Sequence, residues 1–182
     1  MKIGFCGTMS VGKTTLVNEL KKLPEFIDYK VATERSQYLR DLGIPLNTDS
    51  TLKGQTIFLA ERAAELMNED IITDRTIIDV MAFTGLAESV SIIEADYFRD
   101  FAANLIPEYD YIFYVSPNGV DIEDNGVREI DEEYRDLVDF SINKLIKTYN
   151  HRIKNLIRIE GPIERRIQQV VESITMSSPV YL

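Results

Sequence analysis

A chain of 182 residues, 45 % hydrophobic and 27 % charged, has the size and composition of one globular domain with a full core. Its formal net charge of −10 repels polyanions in bulk, which disfavours a long nucleic acid as partner and leaves room only for a local anion site or a nucleic-acid end. No apolar run approaches the ~20 residues of a bilayer span, and the lone Cys6 cannot form an internal disulfide, so a cytoplasmic protein is expected.

Short apolar runs alternate with longer segments of helical period, the pattern of an α/β fold with a parallel sheet. A first strand is expected over 2–6, with only Lys2 ahead of the apolar run and a glycine turn directly after it, which does not suit a signal peptide. A helix follows to about residue 23, where Pro24 stops it. A second strand covers 29–33, and a short helical stretch ends near Gly43 and Pro45. Residues 47–50 offer N-caps for a long helix to about 68, with Leu52, Leu59, Ala63 and Leu66 on its apolar stripe. A third strand near 70–73 closes on Asp74-Arg75. One or two helices fill 77–105, with a break at Gly85 or 89–91. The fourth strand, 109–115, is almost continuously apolar, as in a central strand buried on both faces. A polar loop over 116–130 leads to a helix with Tyr134, Val138, Ser141, Leu145 and Tyr149 on one side. A fifth strand at 155–159 and a helix with Ile163, Ile167, Val170 and Ile174 complete a single domain, 1–176, and 177–182 reads as a loose tail.

The segment Gly7-Thr8-Met9-Ser10-Val11-Gly12-Lys13-Thr14 fits G-x-x-x-x-G-K-[ST]. Glycine at 7 and 12 lets the backbone wrap closely around a phosphate. Loop N–H groups from Met9, Ser10, Val11 and Gly12, continued by Thr15 in the helix, point at the anion, and the helix dipole adds to the attraction. Lys13 reaches the β- and γ-phosphates of ATP, and the Thr14 hydroxyl is a Mg²⁺ ligand. The motif follows an apolar strand and opens an amphipathic helix, which is the setting it requires.

Three further features mark a phosphoryl-transfer crevice. Asp74 closes the third strand, where it can hold Mg²⁺ or take a proton, and Arg75 beside it can clamp an acceptor; an N-cap for the next helix is the plainer reading of Asp74. Glu34 and Arg35 close the second strand as candidate base and acceptor clamp. Arg128 lies in the polar loop, where a closing lid would stabilise charge on the transferred group. That loop also imitates a calcium site over 121–132, but the strand before it does not supply the helix such a site needs. His151, the only histidine, reads as a surface residue, and Tyr111 and Tyr114 as core.

The glycine motif, Glu34 with a nearby arginine, Thr73-Asp74 and the Asp-Asn-Gly-Val-Arg run at 124–128 resemble the P-loop nucleoside and nucleotide kinases. The likeness is greatest to small AAA-type ATPase/kinase domains such as ribosylnicotinamide kinases, and Asp74-Arg75-Thr76 is similar to the strand-end motif of thymidylate and deoxynucleoside kinases. The resemblance implies a three-layer P-loop NTPase fold, a five-stranded parallel sheet in the order 2-3-1-4-5 with helices on both faces, and Asp74 near Lys13. It also implies ATP- and Mg²⁺-dependent transfer to a small nucleoside or nucleotide, and kinases of this size are common in phage genomes. The second strand lacks the Arg-Glu-Pro-Gly signature of thymidylate kinases, and the loop at 116–130 is poor in arginine, so the acceptor is not assigned. A kinase of a modified base or terminus in DNA, a nucleotide-dependent switch ATPase and a homodimer stay open. A GTPase does not, because the guanine-reading Asn-Lys-x-Asp motif is missing.

Overall fold

The computed structural model describes residues 1–33, 36–118 and 132–176. Five strands form one sheet: β1 (Lys2–Cys6), β2 (Lys30–Ala32), β3 (Ile71–Asp74), β4 (Tyr111–Val115) and β5 (Leu156–Ile159). Their order is β2-β3-β1-β4-β5, and every pairing is parallel. The three inner strands are buried on both faces, which is why β4 reads as an unbroken apolar run. The helices are α1 (Lys13–Leu20), α2 (Ser36–Asp41), α3 (Leu52–Glu65), α4 (Ile77–Leu86), α5 (Ile92–Ala102), α6 (Glu132–Thr148) and α7 (Ile163–Met176). Among the described residues, no helix is long and apolar enough to cross a membrane.

Strand alternation divides the core into two layers. Ile3 and Phe5 of β1 join Tyr111, Phe113 and Val115 of β4 under α1 and α7. Phe5 stacks on Phe113 with ring centroids 5.2 Å apart. Cys6, Ile112 and Tyr114 face the other way, towards α3, α4, α5 and α6. Gly4 lies on this second face, and a Cβ there would stand 2.6 Å from Thr76 Cγ2 and 2.7 Å from the Tyr109 ring. The missing side chain is what lets the start of α4 approach the sheet. Tyr111 and Tyr114 are buried and His151 is exposed, as expected.

Several element ends differ from the sequence expectation. Helix α1 stops at Leu20, and Pro24 opens a short 3₁₀ turn, where its fixed φ and missing N–H do no harm. Residues Asn47–Asp49 make another such turn, so the cap of α3 is Thr51, whose hydroxyl accepts from Gly54 N at 3.1 Å. On α3 the buried side chain is Arg62 rather than Ala63, because its guanidinium is paired inside the fold. Gly85 belongs to α4, and the break comes just after it, at 87–91, where Ser91 and Glu94 form a capping box for α5.

Candidate active site

The cradle runs from the end of β1 to the start of α1. Gly7, Ser10 and Gly12 have φ of 147°, 56° and 78°, so the loop reverses direction several times in a short span. A Cβ on Gly7 would stand 2.7 Å from the Val115 carbonyl oxygen of β4, which makes glycine obligatory there. Gly12 is the N-cap of α1 and provides no side-chain acceptor, so the N–H groups of the first turn are left to the loop and to any anion in it. Lys13 is buried, and its Nζ donates to the Gly7 and Thr8 carbonyls at 2.7 Å each. Met9, Ser10 and Val11 are buried in the loop, while Thr15 is exposed at its rim. The Thr8 hydroxyl donates to the Arg135 carbonyl at 2.9 Å and so joins the loop to α6.

The end of β3 meets the cradle from the side. Asp74 is 1 % exposed, and the Thr14 hydroxyl donates to its carboxylate. Its backbone carbonyl accepts from Arg62 Nη1 at 3.2 Å, and Arg62 in turn pairs with Glu65 at 2.6 Å. The alternative of Asp74 as a helix cap is overturned, since Thr76 caps α4 in a capping box with Asp79. Arg75 lies between them with φ 90°, its N–H donating to the Phe5 carbonyl at 3.0 Å. The Arg75 guanidinium stacks over the Phe83 ring, 4.7 Å from its centroid.

Asp79 is fully buried, and burial pushes its carboxyl above the usual range against the pull of Lys13 and Arg75. It accepts from Gly7 N at 3.1 Å, as well as from Thr76 N at 2.7 Å. The spacing of Thr76 and Asp79 signals a helix cap, but nothing local in sequence tells that the same carboxylate reaches the loop.

Two recesses open from this core. The first is a cleft with about 370 Å³ of empty space, part of it open to solvent, lined by Gln55, Phe58, Arg75, Val80 and Phe83 among others. Gln55 is 3 % exposed and lines this cleft from α3. Its sequence signal was a polar residue three places after Leu52, on the buried stripe of α3. The second recess adjoins the cradle at Gly12 and Thr15 and continues along Gly161, Pro162 and Arg166. Arg166 of α7 is buried there and donates to the Val11 carbonyl, and burial lowers its pKa.

The structure therefore brings Lys13, Thr14, Asp74 and Arg75 together. Glu34, Arg35, Arg128 and most of the calcium-like stretch at 121–132 lie outside the described residues. A hydroxyl and a carboxylate oxygen that meet, as those of Thr14 and Asp74 do, are hard donors of the kind that Mg²⁺ takes together with phosphate oxygens.

A family model described as an AAA domain matches residues 2–166. The chain belongs to the AAA domain family. No curated protein matches it in sequence. Among solved structures, this AAA domain is similar to the deoxyadenosine kinase of M. mycoides with products dCMP and dCDP bound, at TM-score 0.70 and 20 % identity over 98 % of this chain and 100 % of the other. The same kinase with dCTP gives 0.67 and 22 %, over 97 % and 100 %. The NadR protein in complex with NAD and AMP-PNP gives 0.70 and 13 %, covering 99 % of this chain and 50 % of that one. At these identities the likeness establishes the three-layer P-loop fold, and the AAA domain has the length of about half of NadR.

Proposed function

We propose that the chain is a phosphotransferase that moves the γ-phosphoryl group of ATP to a nucleoside, nucleotide or similar small acceptor. The observation that carries this reading is the Asp74-Arg75 turn, which touches the cradle through Thr14 on one side and lines the cleft beside Phe83 on the other. A switch ATPase needs the cradle, but it has no need of a cleft with a buried amide next to it. The likeness of the fold to a deoxyadenosine kinase with deoxycytidine nucleotides bound, and to the NadR protein in complex with NAD and AMP-PNP, agrees with it.

In this reading the cradle N–H groups and Lys13 hold the triphosphate, and the recess at Gly161, Pro162 and Arg166 takes the nucleoside end of ATP. Mg²⁺ on Thr14 and Asp74, when bound, neutralises charge on the β- and γ-phosphates. Gln55 reads the acceptor by hydrogen bonding, Phe58 and Phe83 sandwich its apolar part, and Arg75 clamps its polar end. The acceptor oxygen bonds to Pγ as the bond from Pγ to the β-phosphate oxygen breaks and ADP leaves. The acceptor proton passes to Asp74 or Glu34. Glu34 and Arg35 at the acceptor and Arg128 over the transferred group enter from their sequence positions alone.

The test is transfer of label from γ-labelled ATP to a panel of nucleosides, deoxynucleoside monophosphates, nicotinamide riboside and base-modified DNA, comparing the wild type with Lys13→Ala. Label on one small acceptor class, lost by more than ~10²-fold in the variant, is the expected result. Label on DNA alone moves the acceptor into nucleic acid. Slow Lys13-dependent phosphate release with no acceptor labelled would overturn the phosphotransferase in favour of a switch ATPase.

A further inference from the structure

Asp79 has no part in the chemistry above, yet it is a second point, beside the Asp74-Arg75 turn, where the two halves of the site meet. Its Oδ1 accepts from Gly7 N, the first residue of the cradle, across 72 positions of sequence. Its Oδ2 accepts from the Thr76 N–H and the Thr76 hydroxyl, at 2.7 and 2.9 Å. Thr76 directly follows Arg75, and Val80 and Phe83, farther along α4, stand in the cleft wall. The two cations whose field it feels, Lys13 and Arg75, belong one to the cradle and one to the cleft.

A helix cap alone does not call for this arrangement. A second acidic capping box, Ser91 with Glu94 at the start of α5, satisfies the same helix-end N–H with an exposed carboxylate that has no further hydrogen-bond partner among the described residues. A fully buried carboxylate is costly unless every oxygen is hydrogen-bonded. Here one oxygen is committed to the loop and the other to the turn, and neither can shift without disturbing its partner.

We propose that Asp79 is a positioning residue that couples the donor cradle to the acceptor cleft, so that filling either one tightens the other. The inference rests on the phosphotransferase reading. An anion that draws in the loop N–H groups and Lys13 sets the Gly7 peptide, and Asp79 passes that setting to Thr76, Arg75 and the first turn of α4. By reciprocity, an acceptor held by Arg75 and Phe83 favours the same loop geometry.

The experiment measures the Kd of the labelled acceptor by calorimetry, with and without a non-hydrolysable ATP analogue, on the wild type, Asp79→Asn and Glu94→Gln. In the wild type the analogue is expected to tighten the acceptor about tenfold, within the usual range of such couplings. Asp79→Asn keeps the shape but sets an NH₂ against the Thr76 N–H or the Gly7 N–H. Its coupling ratio should fall to about one and its kcat by about 10²-fold, while each ligand alone binds within a few-fold of wild type. Glu94→Gln, the same acid-to-amide change at a capping box without contact to the site, should keep the full ratio.

A folded Asp79→Asn protein with the wild-type ratio and kcat would overturn the proposal and leave the phosphotransferase standing. So would a wild type that labels an acceptor but shows no coupling. A wild type that labels no acceptor would overturn both. If Asp79→Asn does not fold, Thr76→Val removes the hydroxyl that donates to Asp79 and accepts from Ile78 N, and keeps the Thr76 N–H on the carboxylate. A ratio between one and the wild-type value is then expected, and an unchanged ratio sinks the idea.

Discussion

The Thr14 hydroxyl donates to the Asp74 carboxylate, joining the first turn of α1 to the last residue of β3. The pair sets a hydroxyl and a carboxylate side by side at the mouth of the cradle. Asp74→Asn and Thr14→Ala are each expected to lower kcat by about 10²–10³-fold and to raise the Mg²⁺ concentration needed for half-maximal rate. Thr14→Ser, which keeps the hydroxyl, should stay within a few-fold of wild type. A magnesium titration of acceptor labelling distinguishes the three.

Gln55 is the buried amide in the cleft. Replacing it with Leu removes the polar reader and keeps the volume. The acceptor KM is expected to rise by roughly 10–100-fold with the KM for ATP unchanged, since an acceptor edge then goes unpaired against the buried wall of the cleft. Steady-state kinetics with each substrate varied in turn checks this.

Gly4 has no room for a methyl group beside Thr76 and Tyr109. Gly4→Ala should destabilise the fold by about 1–3 kcal/mol through overpacking, seen as a lower urea midpoint with an unchanged slope. Because the clash lies under Thr76, the surviving folded protein should also show weaker transfer.

Glu94 sits on the surface, and hydrogen bonds from the Ser91 hydroxyl and N–H hold its carboxyl below the usual range. A carboxylate with a depressed native pKa contributes stability above its unfolded pKa and loses it as the pH falls through the native value. Relative to Glu94→Gln, the wild type is therefore expected to lose its margin on acidification below the ordinary glutamate range. Melting temperatures from neutral pH down through that range read the effect.

The sequence discloses the cradle because its demands are local: two glycines, a lysine and a hydroxyl residue at fixed spacing between a strand and a helix. Sheet order came with the resemblance, and the all-parallel pairing agrees with the apolar runs. The cleft was much less legible. Gln55 and Arg62 are polar residues that hydrophobic periodicity does not pick out, and only the packing of α3 against α4 shows that both are buried. Asp79 carried the signature of a cap, which is true but incomplete, because its second partner lies at the far end of the sequence. Helix ends shifted where a nearby residue capped better: Thr51 took the place expected of 47–50, and Thr76 the place open to Asp74.

Arg75 holds a left-handed backbone, φ 90°, that side chains other than glycine rarely adopt and that costs of order 1–3 kcal/mol. Glycine would make the same turn with less strain, so the arginine stands here against the backbone's own preference. On the proposed reading, Arg75→Gly would ease the turn and make the fold sturdier while emptying the cleft of its clamp.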